Sequence, residues 1–319
     1  MKHVASIVAS ALTLVAAATL RAETVDLWKT TPPYPDVVNA SHATPEAALF
    51  FKSYFTAKSE HKPVPTTDHF SDAHLTYIDA ALGWPFYSKK GMTDLFEAYM
   101  PKWPPSGLSY PTRISGDTHS ALVAFTDTPE LFGAEIRILA AIDFKDGKIV
   151  RWIDYWDGRS FGAELAAKMR TPAEKFPTNF DYDVVSDSAS AQIKDVSQRL
   201  AAAFASGDSA AADALFSNDA VFLDRALRVR ILGKQAIGKY LGRVSAAAPY
   251  GKGAKLMHVV GSDQGGGYEW TNSASPVKRG IVSIDLNGAG QIVRLDMTWD
   301  NGVMTDADLQ ALVLLSIEK

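Results

Sequence analysis

Two kinds of acidic position stand out in the 319-residue chain. Asp79 closes the short run Leu75-Thr76-Tyr77-Ile78-Asp79, and Asp224 closes Val221-Phe222-Leu223-Asp224 in the same way. Further on, Asp154 alternates with Trp152 and Trp156, so in a strand the three share one face while Arg151, Ile153 and Tyr155 share the other. A carboxylate set among indoles has its charged form desolvated, which raises its pKa toward the range useful for proton transfer at neutral pH. The chemistry these residues would do is therefore acid/base chemistry. Each also has a plainer reading. A strand-terminal Asp caps the following turn, a buried Trp packs a core, and Asp154 forms a buried ion pair with Arg137 or Arg151.

The elements that must position them occur twice. Ile149-Val150-Arg151 and the following Trp156-Asp157 return, at identical internal spacing, as Ile292-Val293-Arg294 and Trp299-Asp300. Each copy follows a turn, Lys145-Asp146-Gly147-Lys148 or Asn287-Gly288-Ala289-Gly290. Upstream, helical patterns at 49–54 and 193–204, the triplets Phe70-Ser71-Asp72 and Phe216-Ser217-Asn218, the two strands ending in Asp, and amphipathic segments at 91–99 and 233–241 keep the same order. The chain reads as a duplicated domain, each copy running helix, helix, short strand, short helix, then several strands. On the face equivalent to Trp152, Asp154 and Trp156 the second copy carries Leu295, Met297 and Trp299, so its inward acid is missing. Asp157 and Asp300 lie on the opposite parity and read as structural, capping or pairing Arg151 and Arg294.

Residues 1–22, with one early lysine and an Ala-rich apolar run, read as a secretory signal peptide, and the run is too short for a membrane anchor. Residues 23–43, with three prolines, read as an extended lead-in. The first domain is expected at 44–160, a linker at 161–188 with a helix at 163–169, and the second domain at 189–319. The chain has no cysteine, which excludes disulfides and thiolate chemistry, and its seven histidines make no ligand-spaced pair. Neither a metal nor any other cofactor is expected. The net charge of −4, with both signs interspersed, gives no stripe for nucleic acid.

The strand ending in Asp, the Gly-led helix, and the closing strand Asp146-Gly147-Lys148-Ile149-Val150-Arg151-Trp152-Ile153-Asp154-Tyr155-Trp156-Asp157 resemble the nuclear transport factor 2-like superfamily, in the style of its SnoaL-like polyketide-cyclase and ketosteroid-isomerase branch, over residues 44–158 and 190–302. That resemblance implies an α+β fold: two tandem cones, each a curved, mostly antiparallel sheet packed with its N-terminal helices around an apolar pocket. It places Asp79 where the family carries its general base, Asp154 inward beside two tryptophans, and Tyr54 on the helix that supplies an oxyanion-stabilising tyrosine. Tyr77, Trp152, Trp156, Asp224 and Trp299 become ligand-contacting candidates. The position of the family's second oxyanion acid falls at Leu139 or Ala140, so that pair is incomplete, which argues against steroid isomerisation itself. Glu135, Arg137 and His119 read as surface charges. Two functions compete: an exported, cofactor-independent isomerase, dehydratase, cyclase or hydrolase acting on a small hydrophobic molecule in the first cone, and a non-catalytic binding or accessory protein. An internal pseudo-dimer of the two domains is compatible with either.

Overall fold

The structure, a computed structural model, describes residues 38–318 apart from 184, 186 and 187. The leader expected at 1–22 and most of the lead-in lie outside the described residues. The end of that lead-in, 39–43, is not an isolated extended segment: it is a strand, β1 (Asn39–Ala43), paired in parallel with β4 (Ser109–Gly116).

Helix α1 (Pro45–Ser59) begins where the Thr44 hydroxyl accepts the Ala47 amide and proline occupies the first turn. Ala47, Phe51, Tyr54, Phe55 and Lys58 form its buried stripe at helical spacing. After α2 (Pro63–Thr67) come β2 (Thr76–Asp79), β3 (Trp84–Phe86) and α3 (Lys89–Tyr99). Then follow β4, β5 (Ser120–Asp127), α4 (Pro129–Phe132), β6 (Ile136–Lys145) and β7 (Lys148–Tyr155). Asp146 and Gly147 both take positive φ in the β6–β7 turn, the backbone a tight hairpin needs. The connection carries α5 (Ala163–Met169).

The series then repeats as α6 (Ala191–Ser206), α7 (Ser209–Ala214), β8 (Phe216–Asp224), β9 (Val229–Leu232), α8 (Lys234–Val244), β10 (Lys255–Ser262), β11 (Gly265–Thr271), β12 (Arg279–Leu286) and β13 (Ile292–Trp299), and α9 (Asp306–Leu314) follows. Ser190 caps α6 as Thr44 caps α1.

One sheet has the order β1-β4-β5-β6-β7-β2-β3, the other β10-β11-β12-β13-β8-β9. With β1 set aside the two orders are the same. The sheets are mixed, because β2 lies parallel to β7 and β8 parallel to β13 while the other pairs of this common core are antiparallel. A strand returning beside the last strand in parallel needs a long crossover, which the intervening helix and strands supply.

Strand parity sorts the layers. Trp152 and Trp156 of the first sheet join Phe51, Phe55, Phe70 and Phe125 in a core against α1. Ile153, Tyr155, Leu122 and Leu139 face the other way and pack with Val260 and Ile281 of the second sheet. The two sheets thus meet face to face, and the contact is polar as well as apolar. Arg151 donates to Glu269 at 2.6 Å, Asp143 at 3.3 Å and the Phe180 carbonyl at 2.7 Å, while the Tyr155 hydroxyl donates to Glu269 at 2.7 Å. His258 meets Asp143 at 2.8 Å. A buried charge that lost its partner here would be costly, so this network fixes one register between the sheets.

Candidate active site

Asp79 and Asp154 are direct neighbours, paired in register across the parallel β2–β7 ladder. Paired residues on adjacent strands point to the same face about 4.8 Å apart, and both acids face the helices. Between sheet and helices lies a cavity of about 140 Å³, lined by Tyr77, Asp79, Asp154 and Trp156 on the sheet side and by Met92, Phe96 and other apolar side chains.

The two acids are held differently. Asp79 accepts the Ala81 and Leu82 amides at 2.9 and 2.8 Å and the Trp156 indole N–H at 3.1 Å. Burial raises its pKa to about 6 against the pull of those donors. Asp154 accepts the Tyr77 hydroxyl on one oxygen and the Trp152 indole N–H, at 2.5 Å, on the other. Burial pushes it up to about 7; the Tyr77 and Trp152 donors work downward, the neighbouring Asp79 upward, and Lys58 downward. Among the described residues no arginine pairs with Asp154: Arg151 lies on the opposite face, committed to Glu269 and Asp143, and Arg137 is paired with Glu135 at 2.6 Å.

Tyr54 and Trp152 do not line the cavity. Trp152 is fully buried, stacked on Tyr77 with ring centroids 6.0 Å apart and in tilted contact with Tyr54 at 4.9 Å. Tyr54 packs against that indole, and its buried hydroxyl has no hydrogen-bond partner among the described residues. Trp152 contributes by orienting Asp154, not as a wall. Of Leu139 and Ala140, it is Ala140 that stands beside Asp154 in the β6–β7 register, so β6 brings no acid to that neighbour.

The cavity contains a second polar pair. Lys58 of α1 and Asp127 at the end of β5 both line it and form a buried ion pair at 3.2 Å, with the ammonium 5.1 Å above the Phe125 ring. Both were legible. Lys58 follows Tyr54 by one helical turn, and Asp127 shares the parity of Phe125 along β5.

In the second half, Asp224 accepts the Leu227 amide at 3.0 Å and the Trp299 indole at 3.3 Å, repeating the Asp79 arrangement, and burial raises it to about 7. The rest does not repeat. Register places Met297 where Asp154 stands and Phe222 where Tyr77 stands. Asn272 takes the place of Asp127, and counting from the helix caps puts Phe204 at Lys58. Trp270 replaces Phe125, and Gly280, in place of Ile138, admits it: a Cβ there would lie 2.5 Å from the indole. Asp224 and Trp299 are both fully buried, and Asp224 borders the crevice between the β8–β9 turn and the first sheet. Asp157 and Asp300 are structural, but their partners are Arg228 and Arg170 rather than Arg151 and Arg294.

No family model matches the chain, and no curated protein matches it. The solved structures it is similar to are NTF2-like, SnoaL-like and ketosteroid-isomerase-like proteins. A putative ketosteroid isomerase from Kribbella flavida DSM 17836 shares 18% identity over 43% of this chain and 97% of its own, with a TM-score of 0.30. A steroid delta-isomerase from Pseudomonas aeruginosa shares 17% over 40% and 90%, with a TM-score of 0.32. A SnoaL-like protein of unknown function from Burkholderia thailandensis E264 shares 10% over 34% and 95%, with a TM-score of 0.31.

Proposed function

We propose that the first half is a cofactor-independent acid/base enzyme for a small, mostly apolar molecule, with Asp154 as the proton-transferring group. The observation that supports this reading is the pair of desolvated carboxyls, Asp79 and Asp154, on one wall of an apolar cavity. An acid whose pKa is near 7 is divided between its two forms at neutral pH, so it can take a proton from a C–H or O–H of the ligand and return it elsewhere. Such transfer isomerises, dehydrates or cyclises a substrate with no electron exchanged. Tyr77 tunes Asp154 through its hydroxyl, Asp79 raises the acid beside it, and Lys58 sets a cation at the wall for charge developing on a substrate oxygen. A volume near 140 Å³ suits a ligand of about one ring, since an engineered 150 Å³ cavity in another protein accepts benzene.

The test uses 3-cyclohexenone, whose double bond moves into conjugation when one proton leaves the carbon beside the carbonyl and one returns at the far alkene carbon. Absorbance of the conjugated product should rise in proportion to enzyme, and Asp154→Asn should slow it at least about a hundredfold with ligand binding retained. Asp79, saturated by three N–H donors, favours a second reading in which the cavity holds a ligand without converting it. Equal binding by both proteins with no product from either would establish that alternative. We also propose export, with cleavage near residue 22; N-terminal sequencing of secreted material tests it, and an intact N-terminus would overturn it.

A further inference from the structure

The internal repeat creates two equivalent crevices, each between one sheet and the turn that follows the Asp-ended strand of the other. In one, Arg279 at the start of β12 looks toward the β2–β3 turn. In the other, Arg137 looks toward the β8–β9 turn. Register makes the two arginines equivalents, Arg137 opposite Thr126 and Arg279 opposite Thr271.

The chain itself shows what the first crevice takes. The connection between the halves runs through it, and Phe176 and Phe180 present their rings to the Arg279 guanidinium at 4.4 and 4.6 Å. Gly83 makes room for this, since a Cβ at that position would lie 2.6 Å from the Phe176 ring. That crevice retains about 390 Å³.

Among the described residues no such segment occupies the second crevice, which encloses about 580 Å³. Its chemistry departs from its twin at the facing turn: Ala80, Gly83 and Pro85 are replaced by Arg225, Arg228 and Arg230. Arg225 is bound to Asp296 through two hydrogen bonds, at 2.8 and 2.7 Å, and acts as framework. Arg228 uses one terminal nitrogen on Asp157, Arg137 uses Nε on Glu135, and Arg230 is exposed. Each guanidinium has five N–H donors in a planar fork, so donors remain on Arg137 and Arg228 beyond those contacts. Thr126 and Tyr110 continue the Arg137 row across the first sheet, on the side of the crevice that faces the β8–β9 turn.

We infer that this open crevice binds a small aromatic anion, its ring stacked on the Arg137 guanidinium as Phe176 is on Arg279, and its carboxylate or phosphate held by Arg228 and Arg230. The twin supplies the stacking half of the argument, and the substitution of three arginines for Ala80, Gly83 and Pro85 supplies the anionic half. Planar, bidentate recognition of an oxyanion is what a pair of arginines does best.

Titration calorimetry of the full chain with phenyl phosphate tests it, with inorganic phosphate and benzyl alcohol as separate titrants. Phenyl phosphate should bind saturably at one site, inorganic phosphate more weakly, and benzyl alcohol should not compete. Arg230→Ala and Arg137→Ala should each weaken phenyl phosphate at least about tenfold, and Asp154→Asn should leave it unchanged. Melting of each variant by circular dichroism confirms folding, and Arg137→Lys offers a folded alternative that keeps charge but loses the planar stack. No saturable binding, indifference to Arg137 and Arg230, or competition by benzyl alcohol would overturn the inference. Equal affinity for phosphate and phenyl phosphate would overturn its aromatic part.

Discussion

Asp154 differs from Asp79 in what holds it, and the difference sets two predictions. Asp79 is bound by the backbone of its own turn, whereas Asp154 depends on two side chains from its own and the neighbouring strand. Removing the Tyr77 hydroxyl in Tyr77→Phe takes away a donor that lowers the Asp154 pKa, so the limb of the pH–rate profile that reports Asp154 should move to higher pH. No movement would show that Asp154 is not the titrating group. Stability should carry the same signature. The folded-state pKa of Asp154, about 7, lies above its ordinary 3.8, so its contribution is fully present below about pH 4 and lost as pH rises through about 7. At about 1.4 kcal/mol per pKa unit, the wild type should lose on the order of 4 kcal/mol across that window relative to Asp154→Asn, read as the difference between their urea-denaturation curves. Strand parity alone put Asp154 on the helix side. That Tyr54 packs against Trp152, and that Lys58 reaches Asp127, depends on contacts between residues far apart in sequence, which periodicity does not encode.

At the scale of elements, the two turns after β2 and β8 are the same device. Asp79-Ala80-Ala81-Leu82 and Asp224-Arg225-Ala226-Leu227 each fold back so that the leading carboxylate accepts an amide three residues on and an indole from the closing strand. Asp79→Asn and Asp224→Asn should therefore each cost about 1–3 kcal/mol, because the amide oxygen can replace only one of the two accepting oxygens and the amide nitrogen then faces an N–H donor in a buried site. Only the first should touch turnover. Equal losses of activity would contradict a single working half. Where the halves diverge, Gly280→Ala should destabilise by about 1–3 kcal/mol by forcing the Trp270 ring out of place. The repeated strands, their order and the two hairpin turns were readable because turn chemistry and alternation are local signals. The parallel placement of β2 and β8, and the recruitment of 39–43 as an edge strand, were not, since pairing partners are chosen by the assembled sheet.

For the whole molecule, the charged contact between the sheets is the feature that decides whether the halves unfold separately. Arg151 is fully buried, with Glu269 of the second sheet and Asp143 of the first as its partners. Arg151→Ala leaves both acids buried without their cation, a loss of about 3–5 kcal/mol. The wild type should show one cooperative transition in urea, monitored in parallel by tryptophan fluorescence and circular dichroism. Separate transitions for the two probes would mean that the halves are thermodynamically independent.

The covalent link between the halves has a further effect. Two identical chains that meet through such a face separate on dilution, and each must keep every residue that both the contact and the chemistry require. Joined by one connection, the partners hold a fixed effective concentration regardless of how much protein is present, so specific activity should be the same at nanomolar and micromolar protein. On the proposed function the second copy is also free to diverge: Met297, Phe222 and Trp270 stand where the first copy has Asp154, Tyr77 and Phe125, and a symmetric pair would carry such substitutions in both sites.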